Sequence, residues 1–324
     1  MILCAEAITE QMNRLGSQKI PFIFLIDFEG KNPFIVPAES AHQTIFWKTP
    51  GASNIRCDET KAALRYWKMF PESFEAYYRK FNVVRQHILN GDTYLLNLTQ
   101  PTPVESNLSI EEIFYLSKAP YKVLLENCFV CFSPESFIKI KNGKISSFPM
   151  KGTKPADTDN SGDTLLADSK ELAEHHTIVD LIRNDLSLVA ENVKVEKFRY
   201  LERIQTNQKD LWQVSSKITG DLPADYPARI GEILCKMLPA GSVTGAPKKK
   251  TVEIIKNAEQ YERGYYTGVF GYFDGKNLDS CVLIRYIENQ NGKLIYKSGG
   301  GITFMSQPET EYNEMLNKVY VPVI

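Results

Sequence analysis

Glu135 and Lys151 stand at the open end of a stretch, Cys131 to Thr153, that reads as a β-hairpin. Asn142-Gly143 marks its tip, because a type I′ turn needs positive φ at both central residues. Pairing outward from that turn sets Lys141 opposite Lys144 and Glu135 opposite Met150, so one carboxylate and one amine arrive within a residue of each other. Strict alternation puts Glu135 and Met150 on one face and Lys151 on the other, so a bulge or a strand end near Pro149 must re-aim the lysine.

Four glutamates form a second set. Glu171/Glu174 and Glu311/Glu314 each sit at i,i+3 on predicted helices, and carboxylates so placed can hold Mg²⁺, which takes an octahedron of oxygens. The plainer reading is a solvated helix face, with Lys318 as the ion-pair partner of Glu314 four residues before it. Two glycine-rich loops form a third set. Gly299, Gly300 and Gly301 leave backbone N–H groups free to converge on an anion, and the 239–247 loop opens a helix whose positive end favours a carboxylate or phosphate. A tight turn and a bulge are the alternatives. Gly245 is followed by Ala-Pro-Lys, which is no Walker A motif, so a nucleotide site is disfavoured. Arg285, Tyr266 and Lys318 suit further carboxylates but equally suit a strand or surface. His175 and His176, adjacent on a helix, point different ways and make a poor metal site. Cys128 and Cys131 lie in an apolar run that reads as a buried strand, where packing is the better account than redox or metal chemistry.

The elements that position these groups are mainly strands. Phe22–Ile26, Phe34–Val36 and Thr44–Trp47 read as an N-terminal sheet, and Pro71–Asn90 carries a helical apolar stripe ending at Gly91. Ser109-Ile-Glu-Glu112 is a capping box for a short helix to Lys118. Residues 154–168 are polar and turn-rich, a loop. A helix follows from Ser169, then strands at 192–200 and 211–220, and helices at 228–238 and 248–260. Tyr265–Phe304 reads as a strand meander turned at Asp274-Gly275 and Asn291-Gly292, and a last helix carries Glu311, Glu314 and Lys318. The expected fold is α+β: two large, mostly antiparallel sheets packed together with helices outside. The chain reads as one unit, 1–324, with 1–70 a short N-terminal sheet region and 71–324 the catalytic core.

With 324 residues, 43% of them hydrophobic, the chain can bury a large core. A net charge of −1 without basic blocks gives no sign of a nucleic-acid or membrane surface, and no apolar run is long enough for a bilayer. Glu6, Glu10 and Arg14 interrupt any signal segment, so a cytoplasmic location is the default. Six scattered cysteines do not make a disulfide scaffold.

Taken together, the segments from about Pro71 onward resemble the chorismate-utilising enzymes, and among them most closely the aminodeoxychorismate synthases. The resemblance is carried by Gly91-Asp-Thr-Tyr94, Ser133-Pro-Glu135, Pro149-Met-Lys-Gly-Thr153, Glu174-His-His-Thr-Ile-Val-Asp-Leu-Ile-Arg-Asn-Asp-Leu186, Gly241-Ser-Val-Thr-Gly-Ala-Pro-Lys248, Ile284-Arg285, Gly299-Gly-Gly-Ile302 and Glu311-Tyr-Asn-Glu314. It implies the chorismate-utilising fold and conversion of chorismate and ammonia to 4-amino-4-deoxychorismate, a step toward 4-aminobenzoate and folate. The ammonia would come from a glutamine amidotransferase partner, since no amidotransferase segment is evident here. By the same resemblance Glu174 and Glu314 would hold Mg²⁺ against the ring carboxylate, with Glu171 and Glu311 nearby, and Gly299–Gly301 would bind that carboxylate. Tyr266, Arg285 and Lys318 would face the enolpyruvyl carboxylate, and the loop around Ser242 would close the pocket. Lys151 is the discriminating position, because anthranilate synthases have alanine there. It would act as a transient nucleophile, with Glu135 as general acid. Leu95 stands where relatives have Gln, implying a drier pocket wall, and Gln213 where they have His. The N-terminal part is short, so a tryptophan pocket is reduced or missing. The alternatives are an anthranilate synthase component I and a non-catalytic chorismate-binding subunit.

Overall fold

The computed structural model describes residues 6–55, 62–155, 161–204 and 211–322, excluding some side chains, among them that of Lys151. Two antiparallel sheets dominate. The nine-stranded one starts at Phe34–Pro37 and continues through Phe22–Ile26, Val269–Phe273, Leu278–Val282, Ser136–Lys141 and Lys144–Ser147 to the long strand Leu211–Asp221. That strand pairs with Ser147 to Lys144 through its second half, with Met150–Pro155 through its first half, and with Glu191–Ile204 along its other edge. The eight-stranded sheet runs Gly245–Ala246, Leu95–Ser106, Lys293–Ile302, Tyr286–Gln290, Phe129–Ser133, Tyr121–Leu125, Ile45–Lys48, with Trp67–Met69 also on Leu95–Ser106.

Alternation along these strands supplies two faces each. Ile23, Leu25, Phe270 and Cys281 of one sheet meet Trp47, Val123, Phe129 and Tyr286 of the other in a core between the sheets. The outer faces are covered by helices. Helix Phe74–Leu89 turns Tyr77, Phe81, Val84 and Ile88 onto Leu96, Leu98 and Ile255, and helix Ser169–Ser187 lays Ile178, Ile182 and Leu186 on the nine-stranded sheet's side. No helix among the described residues is long and apolar enough to cross a membrane.

Several local expectations hold. Ser109 and Glu112 form the capping box of a helix that runs Ile110–Leu116. Asn142-Gly143 and Asn291-Gly292 have positive φ at both residues, as type I′ turns require. His175 is buried with its Nε2 2.7 Å from Ser216 Oγ, and both its ring and that of His176 lie against Phe198, the first edge-on and the second tilted. Cys131 is buried in its strand with its thiol pushed up by desolvation, and the cysteines at 128, 131, 235 and 281 are unbridged.

Others need correction. The strands at 22–48 do not make a sheet of their own; they are shared between the two large ones. A helix, Glu6–Ser17, precedes them, amphipathic enough to bury Ile8, Met12 and Leu15. The 154–168 stretch holds a helix at Ser161–Ala167, and residues 156–160 lie outside the described residues. The meander from 265 to 304 is not one sheet either: its first hairpin belongs to the nine-stranded sheet and its second to the eight-stranded one, and the chain crosses at Leu283–Arg285.

Candidate active site

The hairpin register is as expected at its tip, Lys141 opposite Lys144 and Lys139 opposite Ser146. It does not persist to Glu135 and Met150. The return strand ends at Ser147, and after Phe148-Pro149 a new strand begins at Met150 that pairs with Leu211–Asp221 instead, Met150 opposite Ser215. Within it the register slips between Lys151 and Thr153, around Gly152 at φ +74°. Re-aiming the lysine calls for either a strand end near Pro149 or a bulge, and both are present. Which way the amine points lies outside the described residues.

Glu135 sits just before the strand Ser136–Lys141, half-buried, its backbone N–H donating to Ser133 Oγ at 3.1 Å. Ser242 Oγ donates to Glu135 Oε1 at 2.5 Å, so the loop expected to close the pocket reaches the candidate acid directly. Glu135, Met150, Gly152 and Ser242 line one side of a cavity of about 260 Å³.

The other side is built by the glycine strand of the second sheet, the crossover at Arg285 and the segments that carry Tyr266 and Lys318. Tyr266, Arg285, Gly299, Gly300, Gly301 and Lys318 all line it, so the cavity gathers the expected binding residues. The glycines are not a loop. They are strand, Gly299 opposite Thr99 and Gly301 opposite Asn97. The neighbouring strand stops pairing at Tyr286–Lys297, which among the described residues leaves the 298–302 segment paired on one edge only. Gly299 is also packed too closely for a side chain, since a Cβ would come 2.4 Å from Leu98 O. Arg285 owes its position to the crossover, where its own φ is +53°. Its guanidinium lies 5.5 Å over the Tyr320 ring, and its buried Nε has no partner among the described residues. Tyr266 is buried, with its hydroxyl pushed up by desolvation. Lys318 Nζ pairs with Glu314 at 2.8 Å, the expected ion pair, and donates to Gly299 O at 2.9 Å while lining the cavity.

The glutamates approach the same cavity from two helices. Gly152 lies against Glu171, whose Oε2 would stand 2.9 Å from an added Cβ, and Gly300 lies against Glu311 Oε2, Glu314 and Lys318. Glu311 is 5% exposed, unusual for a carboxylate outside a site. Burial pushes the Tyr77 hydroxyl up, and the charges of Glu311 and Glu314 add to the push. Among the described residues no three acid, imidazole or thiol groups converge on one point. Of the four, Glu314 lines the cavity, while Glu171 and Glu311 lie against its lining glycines Gly152 and Gly300; their carboxylate oxygens are the kind that Mg²⁺ takes.

Sequence reasoning missed Asn97, Lys297 and Met150, and underrated Gln213, all of which line the cavity. Asn97 and Lys297 had a signal, since the strand pairs place them beside the glycine run. Lys297 is 2% exposed and its ammonium is occupied by Glu288 at 2.9 Å. Leu95 is buried in the core around helix Ser169–Ser187 and does not line the cavity.

Two antiparallel sheets with a cavity lined by an acid, a serine, an arginine and a glycine strand fit a chorismate-binding enzyme. The chain belongs to that family: the model described as chorismate binding enzyme matches residues 37–323. An uncharacterized PabA-like protein of Pasteurella multocida is 49% identical over 98% of this chain and 99% of its own length. Aminodeoxychorismate synthase component 1 of Escherichia coli K12 is 34% identical, over 76% of this chain but only 56% of its own length. The crystal structure of anthranilate synthase component I from Streptococcus pneumoniae superposes with a TM-score of 0.67 at 28% identity, covering 78% of this chain and 58% of that one. The family match begins at residue 37, earlier than the resemblance read from the motifs.

Proposed function

We propose that this chain aminates chorismate at C4, as an aminodeoxychorismate synthase component I that takes ammonia from a glutamine amidotransferase subunit. The observation that carries the reading is that Glu135 and the Met150–Gly152 backbone bearing Lys151 border one cavity with Tyr266, Arg285 and Lys318. A ring substrate with two carboxylates fits such a cavity, one carboxylate toward Arg285 and Tyr266 and the other toward the glycine strand. Lys151 attacks C2, the ring double bonds shift, and the C4 hydroxyl leaves with a proton from Glu135 in its acid form. Ammonia then adds at C4, the double bonds shift back, and the lysine is released. Two allylic displacements leave nitrogen at C4 with retained configuration. Ser242 orients the Glu135 carboxyl for the proton transfer. Glu171, Glu174, Glu311 and Glu314 would hold Mg²⁺, which when bound neutralises charge on the ring carboxylate.

The test is to incubate the purified chain with chorismate, Mg²⁺ and an ammonium salt and to identify the product after adding a lyase. The expected result is 4-aminobenzoate, lost with EDTA and restored by Mg²⁺. Anthranilate as the sole product would establish the second reading, which the likeness to the anthranilate synthase structure favours. Absence of turnover with and without an amidotransferase would leave a chorismate-binding subunit.

A further inference from the structure

Ser242 lies in a single 3₁₀ turn, Gly241–Val243, and two buried ion pairs outside the cavity grip the chain around it. On one side Asp185, near the end of helix Ser169–Ser187, meets Lys248, the first residue of helix Lys248–Glu259, with Oδ1 2.8 Å from Nζ. The same ammonium donates to Met237 O at 2.7 Å, just before the turn. Asp185 is 5% exposed, and its other oxygen lies against Gly241, where an added Cβ would be 3.0 Å away. On the other side Arg263 forks onto Glu259, 2.9 Å from Nε and 2.6 Å from Nη2, and donates from Nη1 to Val243 O at 2.9 Å.

Burial pushes the Asp185 carboxyl up and the Lys248 ammonium down, so the pair forms against a desolvation cost. Apolar side chains of the same shape often serve stability as well as a buried pair does. What a hydrogen-bonded pair adds is one fixed geometry. That geometry ends at Ser242 Oγ, 2.5 Å from Glu135.

We propose that Asp185 and Lys248 are positioning residues that act through Ser242, holding the Gly241–Val243 turn at the height from which its hydroxyl meets Glu135. The kinetic consequence rests on the proposed amination; the geometric one does not.

The test pairs an activity-free readout with kinetics. Asp185→Asn/Lys248→Met removes both charges with little change in shape. In substrate-free protein at fixed pH, the Glu135 carboxyl ¹³C resonance, assigned by its loss in Glu135→Gln, is expected to move in this variant as it moves in Ser242→Ala. It should move no further when the three changes are combined. Gly241→Ala, which lifts the turn off Asp185 and leaves both charges in place, should move it too. With chorismate and ammonium, kcat is expected to fall about tenfold, the rate equivalent of one charged hydrogen bond, with KM nearly unchanged. The same substitutions should cost nothing more in a Ser242→Ala background, and Lys248→Arg should restore most of the rate. An unmoved Glu135 resonance in both variants, or losses that add to those of Ser242→Ala, would overturn the proposal. Wild-type protein that does not aminate chorismate would sink the proposed function instead, with the resonance test still deciding the pair.

Discussion

Glu135 shows what a side chain gains from its neighbours. A carboxyl at the mouth of a strand is ordinary; one that takes a 2.5 Å hydrogen bond from a serine on a separate loop, and shares a cavity with a half-buried arginine and a glycine strand, is held for a purpose. The partner role falls to Lys151, and the two make separable predictions. Lys151→Ala is expected to lower formation of aminodeoxychorismate by roughly a hundredfold or more, the scale of losing one catalytic group, with an unchanged circular dichroism spectrum and melting temperature. Product analysis of the variant decides it: wild-type rates of the same product would exclude a covalent lysine intermediate. Glu135→Gln keeps an oxygen for Ser242 and loses the proton, so it should bind chorismate with near-normal affinity, measured by calorimetry, while turnover falls by a similar factor.

At the scale of elements, the bulge at Gly152 is the piece that the lysine depends on. Its φ of +74° is strained for any side chain, and a Cβ there would meet Glu171 Oε2 at 2.9 Å and Leu165 Cδ1 at 3.0 Å. Gly152→Ala should cost about 1–2 kcal/mol, read as a drop of a few degrees in melting temperature, and should reduce turnover by much more than that loss explains, because it moves Lys151 and Glu171 together. The need for such a device was legible in the sequence, because strand alternation contradicted the proximity of Glu135 and Lys151. Its form was not, since the switch of partner from Ser136–Lys141 to Leu211–Asp221 is a non-local choice that no spacing within the hairpin encodes. The glycine run was misread for a related reason. Three consecutive glycines lack the side chains that mark a strand, yet the long ladder with Leu95–Ser106 carries them as one. Arg285 reaches the cavity because the chain changes sheets there, and that crossing leaves only a positive φ as its local trace. What was readable were the turns, the amphipathic helix at Phe74–Leu89, the capping box at Ser109 and the residue types of the site, all set by local chemistry.

For the whole molecule, the site exists only while the two sheets keep their relative position, since each contributes to one side of the cavity. The apolar layer between them does most of this work. Polar contacts cross it at Tyr121: its OH, on the eight-stranded sheet, donates to Asp279 Oδ1 of the nine-stranded sheet at 2.5 Å. Desolvation pushes the Asp279 carboxyl up from its usual 3.8, and the hydrogen bond from Tyr121 and the charge of Lys139, 3.7 Å away, only partly restore it. The folded state therefore holds this proton more tightly than the unfolded chain does. The contribution of Asp279 to stability is fully present below pH 3.8 and declines as pH rises through its higher folded value. At neutral pH the carboxylate is thus a net cost at a position where a neutral acceptor would serve Tyr121 equally well. Asp279→Asn is expected to raise the melting temperature at pH 7 by roughly 1–3 °C, the scale of a change below 1 kcal/mol in a chain of this size. The advantage should shrink steadily as the two proteins are compared at lower pH and vanish near pH 3.8. Thermal unfolding of both across that range measures it, and a difference independent of pH would mean that the contact between the sheets does not depend on the ionisation of Asp279.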